Sequence, residues 1–243
     1  MLPSEKFYII IMEFNLTIFN VLIGLKFARK FRSNNFGKNK IFVIGDNKTG
    51  TTSIESYLKF HGVKMGNQPT AEMLYLNWLR YQNIEDIISY VHTAQGFQDV
   101  PFSKLDLYKI LDKEFPESKF ILTVRDSPEQ WFNSLVTFYT KIWSTDKSSP
   151  PTKEDLQKAD YRFRGYPWLI RKYSLLYKNI ELYSPKEYKE IHDSRNKEIM
   201  QYFLNREKDF IKINVSNPKD FERLNKFLGI NTNLKGFPHK NKT

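Results

Sequence analysis

The chain contains no cysteine among its 243 residues, which excludes disulfides, thiolate nucleophiles and cysteine-ligated zinc together. Histidine is nearly as scarce: there are four, His61, His92, His192 and His239, and no two stand at metal-ligand spacing. Internal repeats and low-complexity tracts are absent. Acidic residues are in deficit, 27 Asp and Glu against 38 Lys and Arg, and the resulting net charge of +11 points to anionic partners. Nucleotides, sulfated or phosphorylated glycans, nucleic acid and membrane surfaces all satisfy that charge.

An uninterrupted apolar run of bilayer length is also missing. FYIIIMEFNLTIFNVLIGLKFA, residues 7–28, approaches the roughly 20 residues a membrane span needs, but Glu13, Asn15 and Asn20 break it. Lys26, Arg29, Lys30, Arg32, Lys38 and Lys40 follow with no acid among them. A membrane anchor, an interfacial helix with its basic tail on anionic lipid, and an ordinary docking helix all fit this pattern. No small-residue cleavage site of the signal-peptide kind follows the run. Residues 1–39 are therefore read as an N-terminal apolar and basic helix with membrane-surface contact through residues 7–32. Cytoplasmic, peripheral and anchored locations all remain open.

The remainder is rich in core material, 40% hydrophobic and 16% aromatic, which suits a folded domain over residues 40–243. Strands are expected at 40–45, 96–99, 119–125 and 209–215, the second closed by Pro101. Helices are expected at 51–60, 71–91, 104–114, 128–143, across much of 156–205, and at 218–228. SSPPTKED, residues 148–155, reads as an insertion loop. Strands alternating with helices imply an α/β fold: a three-layer, P-loop-like sandwich with a central parallel sheet. Ligands of such sheets sit at the carboxyl ends of the strands. That rule singles out the loop Gly45–Ser53, Asp99 and Arg125.

The loop reads Gly45-Asp46-Asn47-Lys48-Thr49-Gly50-Thr51-Thr52-Ser53. Its glycines have the spacing of the nucleotidase pattern GxxxxGK[ST], but Thr51 stands where the lysine belongs and Lys48 precedes the second glycine. A loop leading from a strand to a helix N-terminus offers unpaired amides to an anion, so the displaced ammonium addresses a different atom of the ligand.

NKTGTTSI resembles the 5′-phosphosulfate-binding loop of the sulfotransferases that use 3′-phosphoadenosine-5′-phosphosulfate (PAPS). KFILTVRDSPEQWFNSL is similar to that family's 3′-phosphate segment, although Ser134 lies nine residues after Arg125 where about eight is usual. The stretch from YKEIHDSRN to FPHKN resembles a bacterial-type subgroup that modifies polysaccharides. The resemblance implies that Lys48 contacts the bridging oxygen of the donor. It assigns the 5′-phosphate to Thr49, Gly50, Thr51, Thr52 and Ser53, and the 3′-phosphate to Arg125 and Ser134. It implies no metal and no nucleic-acid partner, and an acceptor hydroxyl, expected on a carbohydrate. Asp99 at its strand end is the expected general base, with His192 as the alternative. A P-loop kinase or nucleotidase, and an inactive anion-binding protein of the same fold, are the competing readings. Lys141, Lys147, Arg162, Arg164, Arg171 and Lys172, interleaved with aromatic residues, form either a cleft for an anionic sugar chain or a solvated face over an aromatic core. Asp46 has no evident role beside a polyanion.

Overall fold

The structure, a computed structural model, describes residues 39–174 and 177–238. Residues 1–38, with the expected membrane contact, and His239 lie outside them. Among the described residues no helix is long and apolar enough to cross a membrane.

Four short strands, β1 (Ile41–Val43), β2 (Gly96–Gln98), β3 (Lys119–Thr123) and β4 (Phe210–Ile213), make one all-parallel sheet in the order β2-β1-β3-β4. Period-two alternation sends Phe42, Ile44, Phe97, Phe120 and Leu122 to one face of the sheet. Ile41, Val43, Ile121, Ile211 and Ile213 go to the other. The first face is covered by α2 (Gln68–Tyr81), α3 (Glu85–Val91), α4 (Leu107–Glu114) and the end of α8 (Pro185–Tyr202), through residues such as Leu74, Ile87, Leu111 and Phe203. The second is covered by α1 (Thr51–Phe60) and α9 (Pro218–Leu228), through Ile54, Leu58, Phe221 and Leu224. Burial on both faces explains why β1 and β3 read as nearly continuous apolar runs. Phe42, wholly buried among Phe97, Phe102 and Phe120, is central to this core; truncating such a residue to alanine costs about 3–5 kcal/mol.

The remaining helices, α5 (Pro128–Trp143), α6 (Lys153–Lys158) and α7 (Tyr166–Tyr173), build a flank beside the sheet. Trp131, Phe132 and Leu135 of α5 pack on Tyr183 and Tyr188, and Tyr166 of α7 packs on Met73 and Leu76 of α2. The expected α/β sandwich with its central parallel sheet is therefore present.

Several element boundaries differ from expectation for local reasons. The helix expected over 71–91 is two helices, because Gln82 adopts a left-handed φ of 55° and ends α2. Asn83 then accepts from the Glu85 amide at 3.1 Å and starts α3. Helix α2 begins earlier than expected because Asn67 caps it, accepting from Thr70 N at 3.0 Å. The stretch 156–205 is divided by Gly165 and by Ser184–Pro185, and the end of the expected insertion loop forms a capping box between Thr152 and Asp155.

From β1 the chain passes to β2 on one side of the sheet and later to β3 on the other. The switch point between β1 and β3 opens a crevice at their carboxyl ends. Gly45 follows β1 there, and Arg125 follows β3.

Candidate active site

The crevice depends on close backbone approach. A Cβ on Gly45 would stand 2.0 Å from Thr123 Oγ1 and 2.4 Å from Thr123 O, so only glycine fits between the ends of β1 and β3. The loop then turns through left-handed residues, Lys48 at φ 69° and Gly50 at φ 101°. Thr49 closes it from inside: its amide and its hydroxyl both donate to Asp46 O, at 3.2 and 2.6 Å, and the hydroxyl also meets Thr123 Oγ1 at 2.6 Å. Ser53 and Ile54 donate to Gly50 O. Among the described residues no acceptor is bonded to the amides of Gly50, Thr51 or Thr52. These are the orphan donors of a helix N-terminus, and they form a cradle for an anion.

Three side chains pin the loop by its carbonyls. Arg195 Nη2 donates to Ile44 O at 3.0 Å, Trp131 Nε1 to Asn47 O at 3.0 Å, and Arg125 Nε to Lys48 O at 2.7 Å. The last bond holds a lysine in a backbone region that non-glycine residues seldom enter. It leaves Nη1 and Nη2 of Arg125 without an acceptor among the described residues, a planar fork suited to an oxyanion. Burial lowers the pKa of Arg125. The Lys48 ammonium lies 4.0 Å from the Phe138 ring centroid. Burial, with Arg125 and Lys141 nearby, lowers its pKa against the opposing pull of Asp99. The hydroxyl of Ser134, on α5, is buried without a partner in the structure.

Asp99 follows β2 at a left-handed φ of 60°, and its Oδ1 accepts from the Val100 amide at 2.8 Å. Burial pushes its carboxyl up to about 6, although the Lys104 ammonium opposes the rise. A carboxylate tuned to that range can take a proton near neutral pH, which an ordinary aspartate near 3.9 does poorly.

Asp46 has a clear role in the structure. It is 5% exposed and bonds Lys104 Nζ at 2.7 Å and His192 Nδ1 at 2.7 Å. Burial alone would raise its pKa, but Lys104, the His192 bond and Arg195 together hold it well below the usual carboxylate range. Asn196 Nδ2 contacts His192 Nε2 at 3.1 Å, and the imidazole stacks on Trp131 with centroids 3.9 Å apart and planes 6° from parallel. His192 is thus 3% exposed with both ring nitrogens engaged, a poor position for a proton acceptor. Its ring instead braces Trp131, the side chain that holds Asn47.

Sequence reasoning missed Lys104, Phe138 and Arg195 as parts of this site. A buried acid requires a countercharge, but Lys104 lies 58 residues from Asp46, and no spacing rule reaches that far. His61 sits at the C-cap of α1, as its position after the helix suggested. In the basic segment, Arg162 pairs with Glu72, and Arg171 donates to the carbonyls of Tyr177 and Ile180, so both serve internal contacts. Among the described residues no three acidic or histidine side chains gather into a metal-holding group.

A sulfotransferase domain matches residues 40–243, from the start of β1 onward. The chain belongs to the sulfotransferase family. No curated protein sequence matches it. Membership makes the chain a transferase of sulfuryl groups.

Proposed function

We propose that this sulfotransferase moves a sulfuryl group from PAPS to a hydroxyl acceptor, with Lys48 and Asp99 as the reacting side chains and no metal ion. The observation that carries this reading is the bond from Arg125 Nε to Lys48 O. It brings the two candidate donor-binding segments, 77 residues apart in sequence, into direct contact at the switch point. The residues fit the donor: open amides at Gly50, Thr51 and Thr52, the free fork of Arg125, and the unpartnered hydroxyl of Ser134. In this reading the amides and the Thr52 hydroxyl hold the 5′-phosphate, while Arg125 and Ser134 hold the 3′-phosphate. Thr49 and Ser53 contribute mainly by shaping the loop.

PAPS supplies an electrophilic sulfur and a phosphate leaving group. The acceptor oxygen bonds to that sulfur as the bond from sulfur to the bridging oxygen breaks, and the electron pair stays on the 5′-phosphate beside Lys48. Asp99 takes the acceptor proton. The products are a sulfate ester and 3′-phosphoadenosine 5′-phosphate (PAP). A transferred group with a single negative charge needs less neutralisation than a phosphoryl group, which suits a loop built on one lysine.

A kinase or nucleotidase reading lacks its lysine after the second glycine. The carbohydrate acceptor rests on the C-terminal resemblance, and the cavity beside Asp99 bears on it below. Membrane-surface contact through residues 7–32 belongs to the same proposal, and co-sedimentation of the full chain with anionic vesicles reads it. The donor assignment is tested by thermal denaturation with PAP and, separately, with ATP plus magnesium. Stabilisation by PAP is expected, and stabilisation by ATP plus magnesium alone would overturn the assignment.

A further inference from the structure

Between α2, α5, α6, α7 and the chain around Tyr183 lies a cavity of about 190 Å³. Asn47, Val100 and Phe138 are among its lining residues, so it adjoins the neighbours of Lys48 and Asp99. The charge of Asp99 is felt at the Tyr139 and Tyr161 hydroxyls in the same wall. Lys48 and Asp99 are not in its wall but directly adjoin Asn47 and Val100, which are, so an acceptor with its hydroxyl at that end would lie next to the reacting side chains.

The walls are ring faces and aliphatic carbon. Tyr139 stacks on Trp143 at 4.5 Å, and Trp143 meets Tyr161 edge-on at 5.9 Å. The charged groups in the wall are already engaged within the protein. Glu72 takes Arg162 and the Tyr161 hydroxyl, and Lys104 takes Asp46. Arg171 donates to two carbonyls, and its Nε is the one buried side-chain donor in this wall with no partner among the described residues. A sugar buried here would set its ring and several of its hydroxyls against aromatic carbon, with the Tyr139, Tyr177 and Tyr183 hydroxyls as the polar groups of the wall, and each hydroxyl left unpaired costs on the order of tenfold in affinity. An anionic glycan would find no unspent cation in the wall. An apolar cavity of about 150 Å³ already accommodates benzene, so this one suits a compact one- or two-ring molecule.

We propose that this cavity is the acceptor site, and that its ligand is an uncharged, ring-bearing apolar alcohol or phenol rather than a carbohydrate. The inference rests on the sulfuryl-transfer reading above. A phenol also suits the chemistry: its proton leaves near pKa 10, as tyrosine's does, well within reach of a carboxylate base as sulfuryl transfer proceeds. The phenol oxygen gains the sulfuryl group, its proton passes to Asp99, and PAP departs with the bridging oxygen.

The test uses the full chain with PAP and with ³⁵S-labelled PAPS. 2-Naphthol is compared with maltohexaose and with chondroitin as acceptor, alongside Ile170→Trp, which fills the cavity from α7. The expected result is that 2-naphthol raises the melting temperature of the PAP complex and becomes labelled. Labelling should fall about tenfold or more in Ile170→Trp through overpacking of the cavity, with stabilisation by PAP alone unchanged. Labelling of either saccharide in place of 2-naphthol, or naphthol labelling indifferent to Ile170→Trp, overturns the acceptor inference while leaving the donor reading intact. Absence of both PAP stabilisation and any labelling overturns the donor reading, and the acceptor inference with it.

Discussion

In the Gly45–Ser53 loop the groups offered to a ligand are backbone amides and the cations beside them. In the cavity that Asn47 of this loop also lines they are the faces of tyrosine and tryptophan rings. The loop is contiguous in sequence and rigid by pinning, with Arg195, Trp131 and Arg125 each holding one of its carbonyls. The cavity is assembled from segments scattered between residues 47 and 188, and its charged groups are spent on partners elsewhere in the protein. In the proposed reading a fixed polyanion is recognised by backbone and an apolar acceptor by side chains, in adjoining compartments. Asp99 directly precedes Val100, one of the cavity's lining residues.

Substitutions can separate the compartments. The largest effect is expected from Asp99→Asn, which should lower kcat by about 10²–10⁴ while leaving PAP affinity nearly unchanged. In the wild-type chain kcat/KM should rise with pH through about 6, as the carboxylate forms, and that limb should vanish in the variant. The stability effect has the opposite sign. The folded chain holds the Asp99 proton more tightly than the unfolded chain, whose aspartate titrates near pH 3.9, so this group reduces stability as pH rises from about 4 to about 6. Asp99→Asn should therefore melt at or above the wild-type temperature at pH 8, and a variant both inactive and destabilised there would indicate a structural role.

Asp46→Asn comes next and attacks the foundation of the loop. It leaves Lys104 and His192 without their anion, and breaking such a buried pair costs about 3–5 kcal/mol, read by urea unfolding at pH 7. Because the folded pKa of Asp46 is depressed, its contribution is present above the unfolded value and is lost as pH falls below about 4. The wild-type advantage over Asp46→Asn should shrink in acid. A variant matching wild type at pH 7 would show that the loop stands without this anchor.

Trp131→Phe should have the smallest effect. It keeps a ring against His192 but removes the donor to Asn47 O, a loss of about 1 kcal/mol. PAP affinity measured by calorimetry should weaken several-fold, and because Trp131 also lines the cavity but keeps a ring there, stabilisation by 2-naphthol should change less. An equal loss for both ligands would show that the two compartments are not independent.

The legible parts of the molecule were those governed by local rules. Thr51–Phe60, Pro128–Trp143 and Pro218–Leu228 are marked by caps, prolines and helical period, and the switch-point rule singles out Gly45 and Arg125 from sequence. The break at Gln82–Asn83 was hidden because apolar residues continue at helical spacing on both sides of it. Asp46 was opaque because its partners, Lys104 and His192, stand 58 and 146 residues away. The environment of His192, the alternative base, was equally hidden: Asp46 and Asn196 engage its two nitrogens and Trp131 covers its face. The aromatic richness of 141–195 was plain, but which rings border a cavity and which cations are spent internally depends on the packing of α5, α6 and α7 against α2.

The central claim is that Lys48, placed before the second glycine, stabilises the leaving phosphate of a sulfuryl donor. Transfer of label from ³⁵S-PAPS, measured in a single turnover by wild type and by Lys48→Ala, tests it most directly. Removal of one such charge-stabilising group should slow transfer by about 10²–10³, with PAP still raising the melting temperature of the variant. Equal rates from the two chains would contradict the account.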